Sequence, residues 1–235
     1  MERGLSSEPV LAGDWVSLLL AKDPKVRASV QTALVQKGQG SFPLLKELLD
    51  PQREDLRVVT FQIIQRIGPP SIPLLAELLR HKSKTIRRAA ISELIDLAPH
   101  TEGAQPALRR TLRDADPMVA GDAARALGAL GKRARPSVGA LVKTLAHKDP
   151  YVRIYAAEAL ASIGSNADRT ISAFVGVLGD PVPGVRWAAC EGLASMGPAA
   201  QSAVPKLIEA LNDEFLYVRI CAAGALGSIE GAAGP

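Results

Sequence analysis

An aliphatic residue followed by Arg, often introduced by Asp-Pro, recurs along this 235-residue chain at almost constant intervals. The Arg register falls at Arg27, Arg57, Arg87, Ala120, Arg153, Arg186 and Arg219, in steps of 30, 30, 33, 33, 33 and 33 residues. The residue before each is Val26, Leu56, Ile86, Val119, Val152, Val185 or Val218. A second ladder keeps the same steps through Gly13, Pro43, Pro73, Pro106, Gly139, Ser172 and Pro205. Proline is tolerated in a helix only in its first turn, so this ladder predicts the start of a first helix in each unit. That helix A is apolar at helical spacing, as in Leu74, Leu75, Leu78 and Leu79 or Val204, Leu207, Ile208 and Leu211.

Helix B is expected to begin at the Asp-Pro. Counted from the Arg register, the residues one before, three after, seven after and ten after fall within about 80° on a helical wheel. In the fifth unit these are Val152, Ala156, Leu160 and Ile163. Gly68, Gly131, Gly164 and Gly197 follow at position eleven, where a left-handed C′ residue ends a helix. Each unit thus reads as a helical hairpin that cannot bury its apolar face alone, and stacking of neighbours supplies the missing partner. The expected architecture is all-α: a right-handed solenoid of seven hairpins over residues 13–229. Its units are 13–38, 41–68, 71–98, 104–131, 137–164, 170–197 and 203–229, between tails 1–12 and 230–235. Composition agrees, since only 4% of residues are aromatic and the 47% apolar fraction is mostly Ala, Leu, Val and Ile, a mixture that favours packed helices.

The tracts DPKVR (Asp23–Arg27), DPMVA (Asp116–Ala120) and DPYVR (Asp149–Arg153), with AAEALASIG at 156–164, resemble HEAT repeats. The similarity is greatest to the short bacterial type found in phycobilin lyase subunits. The period is shorter than the ~40–47 residues usual for such arrays. Tetratricopeptide and ankyrin repeats are set aside because neither a Trp…Leu-Gly…Tyr pattern nor a Thr-Pro-Leu-His tract occurs. The resemblance implies a scaffold or adaptor that binds a protein partner; a phycobilin lyase-type chaperone is an alternative.

The Arg ladder (Arg27, Arg57, Arg153, Arg186, Arg219) is expected to be structural, binding carbonyls or an Asp of the adjacent hairpin through the five donors of the guanidinium. Asp23, Asp116 and Asp149 stand where an N-cap is wanted. Ala120 interrupts the Arg ladder, and Arg53, Ser83, Val182 and Phe215 interrupt the Asp ladder, so less regular stacking is expected there.

Catalytic and cofactor signals are sparse. HEAT-like deoxyhypusine hydroxylases hold iron through His-Glu pairs, and no His-Glu dipeptide occurs here. His81 and His147 share a register but sit two units apart, too far to share a metal, and His100 has no neighbouring ligand. The chain contains no CxxC, P-loop, nucleotide-binding GxGxxG or GxSxG motif. Cys190 and Cys221 read as small packed thiols. No metal, cofactor or catalytic residue is expected, and the N-terminus shows neither signal core nor membrane-length apolar run, which points to a soluble, cytoplasmic protein.

In right-handed arrays of this kind the B helices line the concave side. The outward registers there carry Arg88, Arg125, Met118, Tyr151, Glu158, Trp187, Glu191, Tyr217 and Ile220. Tyr, Trp and Arg are enriched in binding hot spots, so Arg88, Arg125, Tyr151, Glu158, Trp187, Glu191 and Tyr217 are the candidate partner-binding residues; filler between neighbouring B helices is the alternative. Residues 80–135 hold 12 Lys plus Arg against 6 Asp plus Glu. This basic stripe includes Lys82, Lys84, Arg87, Arg109, Arg110, Arg113, Lys132, Arg133 and Arg135. It fits a nucleic-acid backbone, as in HEAT-like DNA glycosylases, an acidic protein partner, or a solvated surface. No Phe, Tyr or Trp lies in that segment, so base stacking has no platform. The last helix B, residues 218–229, is as rich in Ala and Gly as an internal one, and its outer edge is expected to be covered by a second copy, a partner or further repeats. Leu5, Val10, Leu11 and Trp15 are expected to cover the first hairpin.

Overall fold

The computed structural model describes residues 12–98, 100–164 and 168–231, and among these every regular element is a helix. Helices A and B alternate: α1 (Ala12–Leu19) and α2 (Pro24–Lys37), α3 (Phe42–Leu48) and α4 (Glu54–Ile67), α5 (Ile72–Leu78) and α6 (Lys84–Asp96), α7 (Gln105–Thr111) and α8 (Pro117–Ala129). They continue as α9 (Val138–Thr144) and α10 (Pro150–Ile163), α11 (Asp168–Val177) and α12 (Pro183–Met196), α13 (Val204–Ala210) and α14 (Leu216–Glu230). The chain divides into two compact units, residues 1–74 and 75–235. Of the residues expected to cover the first hairpin, Leu5, Val10 and Leu11 lie outside the described residues, and Trp15 is half-buried in α1.

Every helix B begins three residues before the Arg register, and six of the seven A helices begin one residue before the Pro/Gly ladder. The exception is α11, which starts at Asp168, four residues ahead of Ser172. This helix extends to ten residues where the other A helices after α1 have seven. In the fifth pair Val152, Ala156, Leu160 and Ile163 are all fully buried, as the wheel requires. Five glycines, Gly38, Gly68, Gly131, Gly164 and Gly197, have positive φ at position eleven. Gly164 is in the expected left-handed helical conformation. Gly38, Gly68 and Gly197 pair φ of 54 to 71° with ψ of −127 to −145°, a region open almost only to glycine. Each of the three leads straight into a 3-10 turn that redirects the chain into the next helix A, and the direction of that turn fixes ψ.

In the first unit the core is formed by Leu19, Leu34, Leu45, Leu48, Leu56, Ile63 and Ile64. Ser41 and Ser71 tighten its 3-10 turns by donating to the carbonyls of Gly38 and Gly68. In the second unit successive B helices pack side by side from α6 to α14.

The Arg ladder holds the inter-helix turns. Arg27, Arg87, Arg153 and Arg219 each donate through Nη1 to the carbonyls six and five residues earlier, and Arg57 and Arg186 to the carbonyl six earlier. Arg87, Arg153 and Arg186 also reach the next repeat, pairing with Asp114, Asp180 and Asp213 at 2.7, 2.7 and 2.6 Å. Those carboxylates in turn accept the backbone N–H of Asp116, Val182 and Phe215. The expected caps form, with Asp23, Asp116 and Asp149 accepting from the first-turn amides of α2, α8 and α10.

The expectation of less regular stacking is corrected at Val182 and Phe215, while at Ala120 the joint between repeats does change. At Val182 and Phe215 the cap side chain is gone, yet Asp180 and Asp213 close the same turns from two residues upstream and keep their ion pairs. At Ala120 the Arg is missing, but α8 and α10 approach closely because Gly128 faces Ala159, where a Cβ would stand 3.0 Å from the Ala159 Cα. His147 follows Ala120, which has no guanidinium to pair, and its Nδ1 accepts the Asp149 N–H in the carboxylate's place; His81 does the same for Ser83.

Arg186 holds the Asp213 carboxyl below the ordinary carboxylate range, the Phe215 N–H assisting and burial opposing. A depressed folded-state pKa stabilises the fold above the unfolded value, and that stability is lost as pH falls through the folded one. Asp213→Asn should therefore cost about 2 kcal/mol at neutral pH, and the gap from the parent should close below about pH 4. Urea unfolding across that pH range measures it; a gap that does not change with pH would refute the assignment.

Candidate partner-binding surfaces

Helices α6, α8, α10, α12 and α14 present the residues expected to meet a partner, and the structure sorts these into two groups. The first is closed on itself around Asp122 of α8, a carboxylate only 4% exposed. Arg88 of α6 donates from Nε to its Oδ2 at 2.8 Å, and the Tyr151 hydroxyl of α10 donates to its Oδ1 at 3.0 Å. Arg125 lies 3.7 Å from the same oxygen and stands over the Tyr155 ring at 5.8 Å. Tyr155 meets Tyr151 edge to face at 4.5 Å. Burial and then the Asp122 contact push the Tyr151 phenol well above its usual range, so it stays a donor. Three candidates, Arg88, Arg125 and Tyr151, thus have their polar groups directed at a residue of their own chain.

Gly121 makes this possible. A Cβ there would stand 2.3 Å from the Tyr151 ring, so only glycine lets the ring lie across α8 and bring its hydroxyl to Asp122.

The second group is open. Tyr217 of α14 is 76% exposed, Ile220 beside it is exposed, and Trp187 of α12 is half-buried. Trp187 and Tyr217 join Phe215, Pro183, Gly184 and Val218 around a groove of about 340 Å³. The Arg186 guanidinium sits 5.6 Å over the Phe215 ring and steadies one wall. Farther along these helices, Glu191 borders a shallow trough of about 550 Å³ floored by Ala194, Ala225 and Gly224. Glu158 is raised above the ordinary carboxylate range by burial first and then by the Glu191 charge, with Arg125 opposing. Cys190 is buried at the α12–α14 contact beside Cys221, whose Sγ faces the Trp187 carbonyl at 3.8 Å. Its thiol is pushed up by that neighbour and by burial, the signature of packing rather than of a nucleophile. Ile208, Leu211 and Leu216 are also exposed on the last hairpin, and Met118 is exposed on α8.

The basic stripe is divided. Lys84 pairs with Asp116, Arg87 with Asp114, and Arg133 with Glu102. Lys82, Lys132 and Arg135 lie in the turns before α6 and after α8 and are all exposed. Arg109, Arg110 and Arg113 gather at α7 with two residues outside the sequence expectation, Arg80 and Lys143.

Sequence reasoning missed Asp122, Tyr155, Phe215 and the carboxylates Asp114, Asp180 and Asp213. A signal existed for two kinds. Asp122 is the one acid at a register filled elsewhere by Ser29, Val59, Ala89, Tyr155, Ala188 and Cys221. The position six before the Arg holds Asp114, Asp180 and Asp213 wherever the preceding repeat of the second unit supplies an Arg, and His147 where it supplies Ala120.

The family model described as HEAT repeats matches residues 72–141, 106–182, 138–201 and 171–234. Among solved structures, an archaeal HEAT-like repeats protein from Thermococcus onnurineus superposes with a TM-score of 0.62 at 13% identity, covering 95% of this chain and 98% of that one. The YibA protein of Escherichia coli gives 0.61 at 20%, covering 97% and 88%. A designed armadillo repeat protein in complex with the peptide (KR)4 gives 0.59 at 19%, covering 92% and 98%. No curated protein is matched. These likenesses establish an all-α solenoid of repeated hairpins; none of them carries the closer kinship to phycobilin lyase subunits. Among the described residues no helix is long and apolar enough to cross a membrane.

Gly121→Ala should cost about 1–3 kcal/mol, as overpacking does, by driving Tyr151 off Asp122. Combined with Tyr151→Ala its effect should be clearly less than additive in thermal or urea unfolding. Additive losses would show that Gly121 and Tyr151 act independently.

Proposed function

Because the chain belongs to the HEAT-repeat family, we propose that it is a non-enzymatic scaffold that holds a protein partner on the surface formed by α10, α12 and α14. The single observation that carries this reading is the aromatic groove between Trp187, Phe215 and Tyr217, in a chain whose aromatic side chains are 4 Phe, 3 Tyr and 2 Trp. Large rings at the edge of an open groove offer apolar area at low cost in side-chain entropy. Burying them accounts for most of the affinity.

The charge on this surface selects the partner. With Arg88 and Arg125 turned toward Asp122, the groups left to a ligand are Glu158 and Glu191, whose mutual repulsion a cation would relieve. The favoured partner is therefore a segment that places an apolar or aromatic residue in the groove and Lys or Arg over the two glutamates. The armadillo array in complex with (KR)4 supports the chemistry, in that a solenoid of the same fold accommodates alternating Lys and Arg. Trp187, Tyr217, Glu158 and Glu191 supply the contacts; Arg88, Arg125 and Tyr151 set the surface that carries them.

Selection from a random peptide library should enrich segments pairing an aromatic or large aliphatic residue with Lys or Arg. Trp187→Ala with Tyr217→Ala should weaken the selected peptide at least about tenfold, or 1.4 kcal/mol, with unchanged helicity. Retained affinity in that variant would refute the groove as the anchor.

Glu158→Gln separates charge from shape. Since the folded protein disfavours the Glu158 charge, the amide should be as stable as the parent or more so at pH 7, while binding of a Lys/Arg peptide falls. Below about pH 4 the two proteins should have converged in both properties. A variant that is less stable at neutral pH would contradict the direction of the Glu158 shift.

A further inference from the structure

The A-helix side of the second unit carries a second feature that the partner groove does not use. Helices α7 and α9 are separated by a half-open cleft of about 680 Å³, lined by Arg109, Arg110, Arg113, Lys143 and His147 over a floor of Leu112, Ala140 and Ala146. A smaller cleft continues from it toward Arg80, sharing Arg110 and Arg113. Arg80, Arg109, Arg110, Arg113 and Lys143 are all exposed. The one acid in the lining, Asp114, is already bound by Arg87 at 2.7 Å and leaves their charge uncompensated.

The repeat supplies its own control. The equivalent cleft between α11 and α13 has about 450 Å³ but holds a single Lys206, paired with Glu209, alongside Asp213, which is paired with Arg186. The fold therefore produces such clefts whatever their charge, because the short A helices pack less closely than the B helices. The concentration of cations beside α7 belongs to this stretch of sequence.

We propose that this cleft is a binding site for an acidic peptide segment rich in glutamate. Guanidinium forks match carboxylates in pairs, and the aliphatic floor between them suits the methylene arms of Glu. From Arg80 to Lys143 the site crosses three successive A-helix positions. At about 10 Å per helix layer that spans roughly 20 Å, the reach of about six extended residues at ~3.3 Å each. The absence of Phe, Tyr and Trp from both linings denies nucleobases a stacking surface. The site shares no residue with the Trp187–Tyr217 groove, and its occupant has the opposite charge.

The test is fluorescence anisotropy with a short labelled peptide of alternating Glu and Ala, its Gln-Ala counterpart, and a labelled single-stranded DNA, at low and high salt. The Glu peptide should bind in preference to the Gln peptide and lose affinity with salt. Arg109→Glu, Arg113→Glu and Lys143→Glu together should weaken it at least about tenfold, since each reversal replaces an attraction by a repulsion. Lys206→Ala, and Trp187→Ala with Tyr217→Ala, should leave it unchanged, which separates this site from the partner groove. Should the triple reversal disturb folding by circular dichroism, Arg113→Ala with Lys143→Ala gives the same reading at several-fold. Equal binding of Glu and Gln peptides, tighter binding of DNA, or an equal loss from Lys206→Ala would each overturn the proposal.

Discussion

A guanidinium that faces two ways organises this molecule. At its near end it binds the carbonyls of the turn that precedes its own helix, and at its far end, in three repeats, it binds a carboxylate that closes the corresponding turn of the next repeat. Backbone carbonyls in a tight turn between helices cannot find partners within the helices themselves, and five donors in a rigid fork meet that need. The pairs at Arg153 and Arg186 are almost fully buried, so removing one partner would leave a charge without compensation. In these three repeats register is thereby passed to the next one.

The one repeat that lacks the Arg is also the one that carries the Asp122 cluster. Ala120 and the glycines of α8 leave room for α10 to come close and for the Tyr151 ring to cross the helix. Asp122, Arg88 and Tyr151 then form an inter-repeat link on the outward side of the B helices, where the other repeats use the ladder beneath. One break in periodicity thus changes both how two repeats are joined and which charges remain on the surface. What stays open is acidic and aromatic near α12 and α14 and basic beside α7, so the two sides of the second unit offer opposite chemistry to anything that approaches.

The helices, their order and, apart from α11, their starts were legible in the sequence, because proline position, Asp caps and aliphatic spacing are local signals that act within a turn or two of chain. The ladder's structural role was legible for the same reason. The glycines at position eleven were recognised as helix ends; Gly164 has the expected left-handed conformation, whereas at Gly68 and Gly197 ψ differs where the chain turns directly into a 3-10 segment. The candidate surface was legible only as a face. That Arg88 and Tyr151 turn inward to Asp122 depends on a contact across 34 and 29 residues, and no periodic pattern encodes a position that departs from the period.

Phase alone determined that this chain is a series of seven helical hairpins and which residues share a side of each helix, because an apolar stripe on a hairpin has nowhere to go but onto its neighbour. Only the tertiary structure decided which charges are available. Pairing depends on how near two helices come, and that distance is set by single side-chain volumes, a Gly121 or a Gly128, whose effect cannot be read until the helices are brought together.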